Sequence, residues 1–202
     1  MSGTDIVQMS KDLVDSQLED LAGDEDPTPF QVIKDSNDSL SIALVHIPEA
    51  SDARDKMADF LTAACCVHRA TEATFLSAAW SSMYSNVAEV GKVMPSQRPN
   101  RVEIVTLVHA TGQRVETHTA AILRVDGKVK LSPWISDPTF SDSGRIPSAL
   151  LLGIELSHEM PPELIEALDT ALQTLPMGRV VELFVNQICE VRDRLRNSAE
   201  RN

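Results

Sequence analysis

Apolar residues near the start of the chain recur at helical rather than strand spacing. Ile6, Val7, Leu13, Leu18 and Leu21 fall among carboxylates, which predicts an amphipathic helix from Asp5 to Leu21 at the edge of the domain. Gly23-Asp24-Glu25-Asp26-Pro27 ends it. From Phe30 to Lys34 and from Leu40 to Ile47 the pattern becomes strand-like, and Asp35-Ser36-Asn37-Asp38-Ser39 between them has turn chemistry, so a hairpin is expected. After Pro48, the stretch from Asp52 to Arg69 gathers Ala53, Met57, Phe60, Leu61, Ala64 and Val67 on one side and reads as a helix covering the sheet. Thr74 to Trp80 and Val102 to Val108 are apolar on both faces, as interior strands are.

The alternation is clearest from Arg114 to Val125. Val115, Thr117, Thr119, Ala121, Leu123 and Val125 share one face, and Arg114, Glu116, His118 and Arg124 share the other, which is expected to be wet or at a boundary. Asp126-Gly127-Lys128 turns the chain; a three-residue loop is favoured because it sets Val125 opposite Val129 and Leu123 opposite Leu131. A Ser/Asp/Pro/Gly-rich loop follows Trp134, and the run Ala149-Leu150-Leu151-Leu152 fits helix and strand equally. Pro161-Pro162-Glu163 opens a helix with the stripe Leu164, Leu168, Leu172 and Leu175, and after Pro176-Met177-Gly178 a second stripe runs through Val181, Phe184, Ile188, Val191 and Leu195. Two such helices joined by a short turn pack antiparallel. Leu164, Leu168, Leu172, Val181, Phe184 and Ile188 are then the candidate interface for a homodimer or a protein partner.

These elements predict an α+β fold. Its sheet has about five to six strands, antiparallel with mixed pairing left open, is covered by a helix, and is flanked by an N-terminal helix and a C-terminal helical hairpin. Residues 1–26 are assigned to an acidic helix and linker, 27–135 to the core domain and 136–202 to a loop and helical extension.

Composition narrows the classes. A chain of 202 residues with 43% apolar and 24% charged residues supports one substantial core and is unlike a disordered or disulfide-built protein. Cys65 and Cys66 diverge as neighbours on a helix and leave Cys189 without a partner, so all three read as buried free thiols. No apolar run approaches the ~18 residues of a membrane span, and Met1-Ser2-Gly3-Thr4-Asp5 carries no secretory signal, so a cytoplasmic protein with no membrane contact is expected. The formal net charge of −12 is concentrated at Asp5, Asp12, Asp15, Glu19, Asp20, Asp24, Glu25 and Asp26, whereas Arg192, Arg194, Arg196 and Arg201 cluster at the other end. That balance argues against direct nucleic-acid binding and keeps open an acidic inhibitor of a nucleic-acid enzyme.

Motifs for chemistry are sparse. None of the eight glycines belongs to a phosphate-binding loop, and no cysteine has the arginine spacing of a cysteine phosphatase. Cys65, Cys66 and His68 cannot all face one tetrahedral ion from a helix, and Pro161-Pro162 interrupts the turn after His158-Glu159, so no metal and no cofactor is expected. His109 and His118 flank a hairpin at Thr111-Gly112. With His109 facing Arg114, His118 falls opposite Val105, so they are read as solitary sheet histidines rather than an acid–base pair, while kept as catalytic candidates.

One constellation stands apart: Ala79-Trp80, followed by Pro95-Ser96-Gln97-Arg98-Pro99-Asn100-Arg101-Val102-Glu103 entering a strand. It resembles a group of uncharacterised bacterial and phage-encoded proteins in which a strand ending in Ala-Trp precedes a Pro-Ser-x-x-Pro-x-Arg-x-Glu segment. The resemblance covers about Phe30 to Trp134 and implies an α+β domain with an antiparallel sheet, but no activity. Arg101 and Glu103 project from the same face of one strand. Read blandly they are a structural ion pair; read sharply they form a cleft where Arg101 binds an anion, Glu103 acts as base or orienter and Trp80 supplies a stacking wall. The leading expectation is a small interaction protein without catalytic activity, with an enzyme or small-anion binder at Arg101 and Glu103 as the alternative.

Overall fold

In the computed structural model, residues 4–21, 25–47, 51–82, 95–112, 114–137 and 144–174 are described. The first helix, α1 (Ile6–Asp20), starts where the Asp5 carboxylate accepts the backbone N–H groups of Val7 and Gln8 at 3.0 and 3.1 Å. Ile6, Ser10, Val14 and Leu18, spaced four apart, are its buried face. Then follow β1 (Phe30–Asp35), β2 (Leu40–Leu44), α2 (Ser51–Val67), β3 (Ala70–Ser82), β4 (Arg101–Thr111), β5 (Arg114–Val125), β6 (Lys128–Leu131), β7 (Ile135–Asp137), α3 (Arg145–Ser157) and α4 (Pro162–Thr174). A 3-10 turn, Pro95–Gln97, precedes β4.

The strands form one seven-stranded sheet in the order β2-β1-β3-β4-β5-β6, with β7 also pairing β5, and every pairing is antiparallel. The fold is α+β. Because side chains alternate along a strand, the sheet has two differently covered faces. On one, Ile33, Ala73, Phe75, Val108, Ala110 and Val115 pack against Met57, Leu61 and Cys65 of α2 and Ala149, Leu150 and Ile154 of α3. On the other, Phe30, Val32, Leu76, Leu107, Ile122 and Val129 pack against Ile6, Val14 and Leu18 of α1. The acidic N-terminal helix is thus a full layer of the core. The run Ala149–Leu152 lies within α3, and α4 sets Leu168 and Ala171 against Ala63 and Cys66 of α2.

Gly153 lets α2 and α3 approach closely, since a Cβ there would lie 2.6 Å from the Cys65 Cβ and 2.9 Å from the Thr62 carbonyl oxygen. The Cys66 thiol and the Gly153 carbonyl meet at 3.7 Å across the same contact.

Two hairpin registers differ from expectation. Val125 pairs with Lys128 and Leu123 with Lys130, so the β5–β6 loop has two residues, Asp126 and Gly127, with φ of 52° and 74°. Two consecutive positive φ values suit the twist of a two-residue hairpin, and Asp-Gly adopts them readily. Setting Leu123 opposite an apolar residue gains nothing, because Leu123 and Val125 lie beyond the helices, 45% and 60% exposed. At β4–β5, Thr111 pairs with Arg114, which places His109 opposite Glu116 and His118 opposite Leu107. The polar face of β5, expected to be wet, is buried at His118, Ala120 and Ile122 because α1 covers it.

Element lengths explain the uneven cover. Strands β3, β4 and β5 have 13, 11 and 12 residues, whereas α3 has 13 and α2 has 17. At ~3.3 Å per strand residue and ~1.5 Å per helical residue, α3 is roughly half and α2 roughly two-thirds the length of the strands they lie on. The half of the sheet nearer Ser82, Arg101 and Val125 therefore projects past them.

Candidate functional site

The residues singled out in the sequence fall into two polar groups on the α1 face. At the projecting end, Arg101 and Glu103 leave β4 on the same side as Trp80 of β3, which pairs with Glu103 in register. Arg101 lies 4.9 Å over the Trp80 ring, and its Nη1 donates to the Ser96 carbonyl at 2.6 Å. Glu103 is held instead by Arg124 of β5, whose Nε and Nη2 donate to its two carboxylate oxygens at 3.0 and 2.8 Å. Arg124 also donates to Asp26 Oδ1 at 2.9 Å and to the Glu25 carbonyl at 2.9 Å. The Arg124 hydrogen bonds hold the Glu103 carboxyl below its ordinary range, while burial and the adjacent Glu103 carboxylate raise that of Asp26. Arg101 and Glu103 thus stand on one face but serve different contacts. A groove nearby is lined by Asp26–Pro29, Leu44–Ile47 and Ala78, without either of them.

The second group lies under the start of α1. His109 and His118 are 8% and 7% exposed and share a face one diagonal step apart. His109 Nε2 meets Glu72 Oε1 at 2.8 Å, and the other Glu72 oxygen pairs with Lys34, whose Nζ also donates to the Thr4 carbonyl at 3.2 Å. His118 Nδ1 meets Ser136 Oγ of β7 at 2.7 Å, and Glu116 lies 4.0 Å from its Nε2. Burial, then Lys11, lowers the His118 pKa. Among the described residues, His109 Nδ1 and His118 Nε2 have no hydrogen-bond partner. The histidines are therefore each anchored by one nitrogen beneath a helix rather than set at the mouth of a cleft. Ser10 and Thr74, whose hydroxyl oxygens are 2.7 Å apart, seal the same layer.

The thiols and the remaining candidates are structural in their placement. Cys65 and Cys66 are fully buried, and burial raises both thiols, Cys66 to about 12, which keeps them protonated at neutral pH. Among the described residues, no group of His, Cys, Asp and Glu is arranged to hold a metal ion, and no helix is long and apolar enough to cross a membrane. Of the predicted interface, Leu168 is fully buried against α2, and Leu164 and Leu172 pack around it, so these side chains serve the chain's own core. Val181, Phe184 and Ile188 lie outside the described residues. On α1, Asp12, Asp15 and Glu19 form one acidic row, in which Asp15 is raised by burial and by its two neighbours.

The feature not anticipated from the sequence is apolar. On the projecting half of the sheet, on the face that α2 and α3 cover elsewhere, Val102, Leu123, Val125 and Ile135 are 48, 45, 60 and 66% exposed. Register joins them through Ala79, Ile104, Ala121 and Thr119. The signal was present in the alternation of β5, but alternation marks a face without saying whether anything covers it.

Comparison with protein-family models, curated proteins and solved structures finds no match for this chain.

Proposed function

We propose that the chain is a small interaction protein of the cytoplasm, without catalytic activity of its own, and that it binds a protein partner through the projecting half of its sheet. The observation that supports this is the contiguous apolar face of Val102, Leu123, Val125 and Ile135. Its exposed area is on the order of 400 Å², the size of the largest apolar patch of a typical monomer, which is often functional. The face lies on three hydrogen-bonded strands and is rigid before binding, which lowers the ordering cost of association. The formal charge of −12 and the acidic row on α1 make nucleic acid the wrong partner class.

A second reading, a small-anion site at Arg101, draws on the guanidinium stacked over Trp80. Glu103 is no free base in that reading, since both its oxygens accept from Arg124.

The test is native mass spectrometry of the protein purified gently from its own host, as wild type and as the Leu123→Lys/Val125→Lys variant. Both positions are exposed, so the variant should fold normally. A partner protein held in fixed ratio by the wild type and lost from the variant is expected. A partner retained equally by both, or a chain that arrives alone or with a stoichiometric small anion, would contradict the proposal.

A further inference from the structure

Strand β2 ends the strand order, and among the described residues nothing pairs with its outer edge. The hydrogen-bond phase fixes what that edge presents. Val45 N–H donates to Pro29 O at 2.9 Å and Asp35 N–H to Ser39 O at 3.1 Å, so the odd-numbered residues of β2 are the ones bonded to β1. The N–H and C=O groups of Leu40, Ile42 and Leu44 therefore point outward. Their side chains share the face of Val32 and Phe30 but lie beyond α1, and are 37, 53 and 71% exposed. Edge strands are ordinarily guarded by lysine, proline, an inward charge or a bulge; Leu40-Ser41-Ile42-Ala43-Leu44 contains no such residue and pairs with β1 in unbroken register.

We propose that β2 pairs antiparallel with β2 of a second copy about a two-fold axis through Ile42, making one sheet continuous across two chains. The strand is self-complementary for this register. Leu40 faces the partner's Leu44, Ile42 faces the partner's Ile42, and Ser41 faces the partner's Ala43, so one side is entirely apolar. The outward groups of Leu40, Ile42 and Leu44 are in the correct phase for about six backbone hydrogen bonds. The repulsion between two copies that each carry a formal −12 works against the pairing and keeps it weak.

The three side chains offer roughly 300 Å² per copy, well below the ~800 Å² per partner of a stable interface. A reversible dimer dissociating on the order of tens of micromolar is expected. This surface is separate from the uncovered sheet face and does not depend on it.

Sedimentation velocity of the full chain from about 1 to about 200 µM brackets that range. A concentration-dependent monomer–dimer equilibrium is expected, weakened at least about tenfold by Ile42→Lys, which sets two like charges together at the axis. Unchanged circular dichroism and melting would show that the variant is folded. An equimolar mixture of Ile42→Lys and Ile42→Glu should re-form dimers, and Leu123→Lys should leave the equilibrium unmoved. A chain monomeric throughout, an Ile42→Lys variant that dimerises like wild type, a mixture that fails to re-associate, or self-association abolished by Leu123→Lys would each overturn the pairing; the last would leave the sheet-face proposal standing.

Discussion

Arg124 ties Glu103 on β4, 21 residues away in sequence, to Asp26 and the Glu25 carbonyl ahead of β1, 98 and 99 residues away. Its side chain is 25% exposed and that of Glu103 16%, so removing the guanidinium leaves a largely desolvated carboxylate unpaired. Arg124→Ala is expected to cost about 2 kcal/mol in urea unfolding, several-fold more than truncating the exposed Arg114. Sequence reading placed Arg101 and Glu103 on one face because strand parity is local, whereas the shared face of Trp80 follows only from the β3–β4 register. It missed that Glu103 belongs to Arg124, a diagonal neighbour that becomes visible once the β4–β5 register is known. His118 supplies a pH test at the same scale. Its pKa lies below the ordinary 6.5, with Glu116 on its own strand, His109 on β4, Ser136 on β7, Lys11 on α1 and Asp5 at the N-cap of α1 around it. The unfolded chain therefore takes up the proton first. Stability present above 6.5 is lost as pH falls from there toward the lower folded value. His68, also lowered by burial, acts in the same direction, so His118→Gln should reduce, without abolishing, the loss seen in melts between about pH 7 and pH 5.

Among the elements, the α2–α3 contact depends most on one small residue. Gly153→Ala must displace the Cys65 side chain or the Thr62 backbone, and a loss of roughly 1–3 kcal/mol in thermal or denaturant unfolding is expected, greater for Gly153→Leu. Gly127→Ala strains the β5–β6 turn at φ +74°, where the added Cβ meets nothing within 4 Å; its cost of about 1 kcal/mol would be conformational alone. Helices α1, α2 and α4 were legible because their apolar stripes have a clear helical period. Ala149–Leu152 gave no period, being apolar in succession, and only its burial between α2 and the sheet shows why a helix can be apolar around so much of its surface. The Asp-Gly turn was misread because pairing Leu123 with Leu131 looked favourable, yet the loop's own backbone preference decides register where nothing packs on that face.

For the whole molecule, the sequence indicated the fold class and the antiparallel sheet but not the division of its faces. A period of two reads the same beneath a helix and in the open, so Val115 and Val125 are equivalent in the sequence, though one is 7% and the other 60% exposed. The difference comes from lengths, since α3 is about half and α2 about two-thirds as long as β3, β4 and β5, and neither covers their far ends. The central claim is that the half they leave uncovered is where a partner sits. Hydroxyl-radical footprinting of the chain alone and in the complex isolated from its host tests it most directly, because it reports side-chain access residue by residue. The account predicts ready oxidation of Val102, Leu123, Val125 and Ile135 in the free chain and strong protection in the complex. Oxidation of those four unchanged on binding, with protection appearing instead on the outer face of α1 or around Arg101, would contradict it.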